Sequence, residues 1–143
     1  SFTGLKQAVT KILQTFPNGA MEGIKVSLVI NTTLSRGLGS NAMEILQDLS
    51  WITLSSSTGT INIDNLNYAG YAFIVKKNGV FFTIADNTTI TMLNVSPNNH
   101  AGFIAIDERG IVKLSNLTLN LVNTVYAIQI SSQTHTHSHA KHT

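Results

Sequence analysis

The feature that most constrains the fold is an apolar pattern that recurs about every 30 residues, a period typical of repeat architectures. Three strand-like segments, "WITLS", "VFFTI" and "IVKLS", follow one another at nearly equal steps along the chain. Each carries two apolar residues at alternate positions, namely Ile52 and Leu54, Phe82 and Ile84, and Val112 and Leu114. Because alternate residues of a strand face the same side, these six side chains are expected in stacked, inward-facing columns.

Other segments repeat at nearly the same interval. "YAFIVKKNG" matches "GFIAIDERG", which places Gly79 and Gly110 at equivalent positions, "TINIDNLN" matches "TITMLNVS", and "VYAIQI" closes a third copy. A repeat of about 30 residues made of short strands is typical of one coil of a β-solenoid, since a single coil cannot bury its inward side chains alone. With so few coils, a β-sandwich remains the alternative.

Charged residues agree with stacked coils. Lys76 and Lys77 fall one repeat before Asp107 and Glu108, so each lysine is expected to lie beside an acid of the next coil. Exposed pairs of this kind contribute about 0.2–1 kcal/mol.

The N-terminal segment predicts a helix. Its apolar residues follow the spacing of one helical face, and "PNG" supplies a stop. The predicted domains are therefore a β-solenoid over residues 3–133, whose first part (residues 3–16) is a helix that caps it, and a His-rich tail over residues 134–143. Within the solenoid, "AMEILQDL" suggests one or two helical turns.

Composition excludes several classes of function. The formal net charge is only +2 and no Lys/Arg block occurs, so nucleic-acid binding is not expected. Without cysteine the chain has neither disulfides nor a thiol nucleophile. No apolar run approaches the roughly 20 residues of a membrane helix, so membrane insertion is not expected either.

Carboxylates are the only candidates for catalysis. Glycoside hydrolysis ordinarily uses two of them about 5–9.5 Å apart. Asp64 follows an inward isoleucine and is expected to face outward, and Asp86 stands in the turn "ADNTT", so Asp64 and Asp86 form the candidate pair. His100 stands alone in a loop, which leaves no Ser/His/Asp arrangement. Since few acids lack a structural explanation, strong hydrolase activity is not expected from this chain alone.

Aromatic residues are the candidates for sugar binding. Trp51, Tyr68 and Tyr71 would serve if they were exposed, although Trp51 opens a predicted strand and is more simply interpreted as part of the core.

The order of an amphipathic helix, an apolar strand, "DLSWITLSSSTGTINID" and then irregular coils resembles the pectin-lyase-like right-handed β-helix of bacteriophage tailspikes and prophage tail proteins. The resemblance covers about residues 3–130 and matches none of that family's catalytic motifs. It implies a mainly β fold, with a short capping helix followed by a right-handed parallel β-helix. It also implies a homotrimer in the virion tail that contacts a host cell-surface polysaccharide or receptor. A polysaccharide depolymerase and a bacterial surface adhesin are the alternatives.

The chain ends on "THTHSHAKHT", in which His135, His137 and His139 alternate with small polar residues. This stretch resembles the His-x-His motif of phage fibre tips, where three chains enclose one metal ion on the three-fold axis. Alternate imidazoles of an extended strand face one side, so three chains would supply six nitrogen ligands to iron, zinc or nickel. An expression remnant, a frayed polar end and an ordered but metal-free tail are the other interpretations.

Overall fold

The computed structural model describes residues 1–36, 42–96, 101–121 and 128–130, together with the backbone of residues 141–142. In these parts one helix, α1 (Phe2–Thr15), precedes all of the strands. The strands are β1 (Val26–Val29), β2 (Leu34–Ser35), β3 (Met43–Ile45), β4 (Ile52–Ser55), β5 (Thr60–Asp64), β6 (Tyr71–Val75), β7 (Thr83–Ile84), β8 (Thr88–Leu93), β9 (Gly102–Ile106), β10 (Leu117–Leu121), β11 (Ile128–Ile130) and β12 (Lys141–His142).

The strands form three parallel sheets that share the coils of one solenoid. Sheet 1 has the order β1-β4-β7, sheet 2 the order β12-β10-β8-β5-β2, and sheet 3 the order β11-β9-β6-β3. Between the second coil and the third, Thr53 pairs with Thr83 in sheet 1, Thr60 with Thr89 in sheet 2, and Tyr71 with Gly102 in sheet 3. The register therefore advances by nearly the same interval in all three sheets. These pairings confirm the predicted mainly β solenoid with its repeating coils, and the antiparallel pairing typical of a sandwich is not what joins these strands.

All six side chains predicted to face inward are buried, and they are Ile52, Leu54, Phe82, Ile84, Val112 and Leu114. Phenylalanines link successive coils within this core. The ring of Phe73 in β6 lies 5.1 Å from that of Phe81, 5.8 Å from that of Phe103 and 5.4 Å from that of Phe2 in α1. These tilted and edge-to-face contacts add a directional term to the burial of large apolar surfaces.

Helix α1 covers the N-terminal end of the core, as predicted, although it begins one residue earlier. The Ser1 hydroxyl caps it by accepting a hydrogen bond from the Gly4 amide at 3.0 Å. Phe2, Leu5 and Val9 are buried on one helical face, and the Phe2 ring reaches Phe73 in the second coil. Strands β1, β2 and β3 of the first coil are the N-terminal edges of the three sheets. The helix thus shields apolar side chains that would otherwise face water.

Equivalent turns follow β6 and β9. The Gly79 amide donates to the Lys76 carbonyl at 2.8 Å, and the Gly110 amide donates to the Asp107 carbonyl at 3.0 Å. A Cβ at Gly79 would lie 2.2 Å from the Ile45 oxygen of the previous coil, so only glycine fits there. Across the two turns the ammonium of Lys76 lies 2.9 Å from Asp107, which confirms one of the two predicted ion pairs.

The second predicted pair is wrong. The Glu108 carboxylate lies 3.9 Å from the Arg109 side chain of its own turn, and in the described part of the chain no ion pair joins it to Lys77. Arg109 has a positive φ of 61° in this turn.

Two segments differ locally from expectation. "AMEILQDL" contains strand β3 rather than helical turns, with Met43 and Ile45 buried on either side of exposed Glu44. "IVKLS" buries its apolar residues as predicted, but it pairs with the previous coil only through an isolated bridge between Ile111 and Val80. No helix in the described part of the chain is long and apolar enough to span a membrane.

Candidate functional site

The outward face of sheet 1 carries a row of hydroxyl side chains. Ser27 pairs in register with Thr53, and Thr53 pairs with Thr83, so one hydroxyl comes from each of the first three coils. Neighbouring strands lie about 4.8 Å apart, which sets the spacing of these hydroxyls. Hereafter this row is called the hydroxyl ladder.

Trp51 stands beside the hydroxyl ladder. It is two residues before Thr53, so it projects from the same side of the chain. The Val26 amide donates to the Trp51 carbonyl at 3.0 Å. Lys25, which precedes Val26 in the first coil, therefore lies beside Trp51, which precedes β4 of the second coil. Trp51 is half-buried: it packs against the core and also lines an open groove. Trp51 therefore lies partly in the core, as predicted, and partly at the surface of the groove.

The indole of Trp51 is fixed on two sides. Its Nε1–H donates to the Asp48 carbonyl at 2.7 Å. Its six-membered ring lies against Gly19, where a Cβ would come within 2.6 Å of the ring. A larger residue at this position would force the ring to shift, so the ring and the turn after α1 are in close contact.

A groove of about 380 Å³ opens between the segment that follows α1 and sheet 1. Its lining combines the Trp51 ring with hydroxyl, ammonium and carboxylate groups, and it comprises Ala20, Gly23, Ile24, Lys25, Asp48, Ser50, Trp51, Thr53 and Thr83. Two of these groups are held by local bonds. The Asp48 carboxylate accepts from the Ser50 amide at 2.9 Å, and the Thr83 hydroxyl donates to the Ser50 carbonyl at 2.6 Å. The groove is thus a polar depression with one rigid aromatic surface.

The structure does not bring Asp64 and Asp86 together. Asp64 is the last residue of β5, whereas Asp86 precedes the start of β8, and β5 and β8 lie side by side. Asp64 and Asp86 therefore occupy opposite ends of sheet 2, separated by at least the length of strand β5, about 13 Å at roughly 3.3 Å per residue. Paired catalytic carboxylates lie about 5–9.5 Å apart.

Each of these aspartates instead binds an asparagine of the next coil. The Asn94 side chain donates to Asp64 at 3.0 Å, and the Asn116 side chain donates to Asp86 at 3.5 Å. Both asparagines have positive φ, at 52° and 54°. These contacts give both carboxylates a structural role between coils.

The other predicted aromatics surround a buried arginine. Tyr71 is buried in β6, and the guanidinium of Arg36 lies 5.6 Å from the centre of the Tyr68 ring. Arg36 also donates to the Asn65 side chain at 2.8 Å. Burial lowers the pKa of the Arg36 guanidinium. This cluster ties the end of β2 to the turn after β5, with Tyr68 half-buried against the arginine.

His135, His137 and His139 lie outside the described residues, as does His100. No group of three or more potential metal-binding side chains occurs in the part of the chain that is described. The backbone of Lys141–His142 forms β12, which pairs in parallel with Thr118–Leu119 of β10. The end of the tail thus extends sheet 2 along the solenoid.

Sequence reasoning missed the groove because its residues come from three coils and from the segment after α1. The available signal was the alternation of Trp51 and Thr53 together with the single repeat that separates Thr53 from Thr83. The chain matches no protein-family model, no curated protein and no solved structure.

Proposed function

We propose that this chain is a receptor-binding component of a bacteriophage tail spike or fibre that contacts the bacterial surface as a homotrimer. The observation that carries the proposal is the parallel solenoid whose N-terminal end is covered by α1 and whose coils continue to the last strands. Such a body is rigid along its axis because every coil is hydrogen-bonded to the next. A rigid body with a weakly charged polar surface suits adhesion to a host surface.

The sparse charge of the surface favours a carbohydrate or polar receptor over a nucleic acid. Only 11% of residues are charged, and hydroxyl and amide side chains populate the outward positions of the strands. Glycans present dense hydroxyl groups that such side chains can bind. Host polysaccharide is therefore the receptor class in this proposal.

The tail supplies the second part of the proposal. Three copies of His135, His137 and His139 would offer imidazoles to one transition-metal ion on the three-fold axis, in keeping with the resemblance to fibre tips. Iron, zinc and nickel all accept nitrogen ligands. A metal at this place would bind three chains to one another.

Catalysis is not part of the proposed function. Asp64 and Asp86 lie at opposite ends of sheet 2, and each receives a hydrogen bond from the next coil. Release of oligosaccharides from a capsular or O-antigen polysaccharide, lost on Asp64→Asn or Asp86→Asn, would favour the depolymerase alternative instead.

The test combines solution mass with adsorption to cells. Light scattering should give three times the chain mass of 15.5 kDa, and the fluorescently labelled protein should adsorb to some strains in a panel of smooth and encapsulated bacteria. Enzymatic stripping of the surface polysaccharide should abolish adsorption. A monomer that adsorbs would point to a surface adhesin, and a protein that adsorbs to no strain would overturn the proposal.

A further inference from the structure

We infer that the groove at Trp51 is a binding site for an uncharged pyranose unit of a glycan, with the indole as the stacking surface and the hydroxyl ladder as the hydrogen-bonding edge. This inference rests on the proposed function for the source of the glycan. The site itself is argued from the groove's own geometry.

The first argument is the state of the Trp51 ring. A pyranose has one face of C–H groups, and that face packs well on the π-face of an aromatic ring. An indole that is held before the ligand arrives loses little entropy on binding. The bond to the Asp48 carbonyl and the contact with Gly19 hold this ring in that way, while its remaining surface lines the groove.

The second argument is the regular supply of polar groups beside the ring. Thr53 and Thr83 lie on adjacent strands at the floor of the groove, and each hydroxyl has both donor and acceptor capacity. The Thr83 hydroxyl donates to Ser50, so its oxygen remains available as an acceptor. One carboxylate oxygen of Asp48 accepts from Ser50, and the other can accept from a sugar hydroxyl. A row of such donor and acceptor groups can bind adjacent hydroxyls of one sugar unit.

The third argument concerns charge and size. The lining contains one cation, Lys25, and one anion, Asp48, so the groove has no net charge to select an ionised ligand. Its volume of about 380 Å³ is near the lower end of the roughly 300–1,000 Å³ usual for small-molecule sites. One or two sugar units fit that space. Affinity should accordingly depend little on salt, since no charge pair is screened.

The chain offers a direct readout, because Trp51 is its single tryptophan. Oligosaccharides released from neutral O-antigens and capsules would be titrated into the protein while indole emission is recorded. A ligand in the groove should give a saturable change in emission whose midpoint shifts by less than about twofold between about 50 and 300 mM salt. An ionic contact would instead weaken steadily over this range.

Two variants with matched chemistry locate the site. Thr53→Val keeps the shape of a half-buried side chain and removes one hydroxyl of the ladder, so affinity should fall about three- to tenfold, the effect of one neutral hydrogen bond. Thr91→Val makes the same change at a half-buried position of β8 in sheet 2, and affinity should stay within about twofold. Trp51→Phe, followed by calorimetry, should weaken binding while leaving the melting cooperative.

Three results would overturn the inference: no oligosaccharide binds, binding leaves indole emission unchanged, or Thr53→Val and Thr91→Val have equal effects. A monomer that adsorbs to no bacterium but binds an oligosaccharide at Trp51 would keep this inference and overturn the proposed tail function. If the Thr53→Val variant is a trimer that adsorbs to cells with full affinity and its indole emission does not change on binding, the proposed function stands and the site at Trp51 is overturned.

Discussion

The Asn94 side chain reaches back across one coil and donates a hydrogen bond to the Asp64 carboxylate at 3.0 Å. The same relationship recurs between Asn116 and Asp86 at 3.5 Å, and both pairs have the same separation along the chain. Asn94 has a φ of 52°, a left-handed conformation that asparagine tolerates better than most residues. One residue type thus meets two needs, the bend of the turn and the bond to the previous coil.

Replacing Asn94 should separate these two roles. Asn94→Gly keeps the left-handed backbone and loses the bond, so the free energy of unfolding should fall by about 1 kcal/mol. Asn94→Ala loses both and should cost about 2 kcal/mol, because alanine adds about 1 kcal/mol of backbone strain. Urea denaturation measures both values. Equal costs for the two variants would show that the turn is not strained by a side chain.

Truncation of Phe82 should remove much of the margin of stability. Its ring is buried and lies 5.3 Å from that of Phe81 and 6.3 Å from that of Phe73. Phe82→Ala should cost about 3–5 kcal/mol in the free energy of unfolding, since it leaves a cavity between coils. Phe82→Leu retains most of the volume and should cost less. A loss below about 1 kcal/mol for the alanine variant would contradict close packing at this position.

Loss of the capping helix should cause association rather than simple fraying. Deletion of residues 1–16 exposes the end of the core and the edges of strands β1, β2 and β3, which are templates for pairing with other chains. Val9→Asp tests this within the full chain, because it places a carboxylate on the buried face of α1. Lys11→Asp, on the exposed side of the helix, is the control. Light scattering should show concentration-dependent aggregates for Val9→Asp alone, and a monodisperse Val9→Asp protein would show that the cap is dispensable.

The two neighbouring lysines should differ in their contribution to stability. The hydrogen bond and the negative charge of Asp107 raise the pKa of Lys76. Because the pKa of Lys76 is raised in the folded state, the ion pair stabilises the fold fully at pH values below the unfolded-state pKa of about 10.4. This stabilisation is lost as pH rises through the higher folded-state pKa. At pH 7, Lys76→Gln should cost about 0.2–1 kcal/mol, the range for exposed pairs, and Lys77→Gln should cost less. Melting curves for both variants at pH 7 and above pH 11 measure this, and an unchanged difference at high pH would refute the pair.

Metal binding by the tail should depend on His137 most of all. It belongs to both overlapping His-x-His pairs, so His137→Ala damages the ligand set whichever pair is used. Elemental analysis should give about one ion per three chains in the native protein and none in this variant, while His100→Ala should retain the metal. Binding should weaken below the histidine pKa of about 6.5, because neutral imidazole is the ligand. A stable trimer without metal would refute this role.

The solenoid could be predicted because the spacing of its inward apolar residues indicates the register of the coils. Ile52, Phe82 and their equivalents recur at nearly constant spacing, and stacking places like residues above one another. Short segments without that periodicity are harder to assign. "AMEILQDL" has apolar residues at spacings that fit both a helical turn and a strand. The structure shows a strand, in which Met43 pairs with Phe73 of the next coil.

The candidate site could not be predicted in the same way, because outward residues are not constrained by stacking. The groove joins Trp51 to Lys25 and Thr83 through contacts that depend on the turn after α1 as well as on the register. The pairing of Asp64 with Asp86 was suggested by chemistry alone. Register then separates them, since the interval between the two is shorter than a whole coil and places them at different points of the circumference.

The stacking of coils also makes the length of the molecule adjustable. In the described part of the chain every strand pairing joins one coil to the next, so an added coil would meet the same two kinds of surface as its neighbours. Duplicating one coil between α1 and the last strands should therefore lengthen the axis by about 4.8 Å and leave the remaining pairings intact. The length of the solenoid is therefore expected to change only in steps of one whole coil.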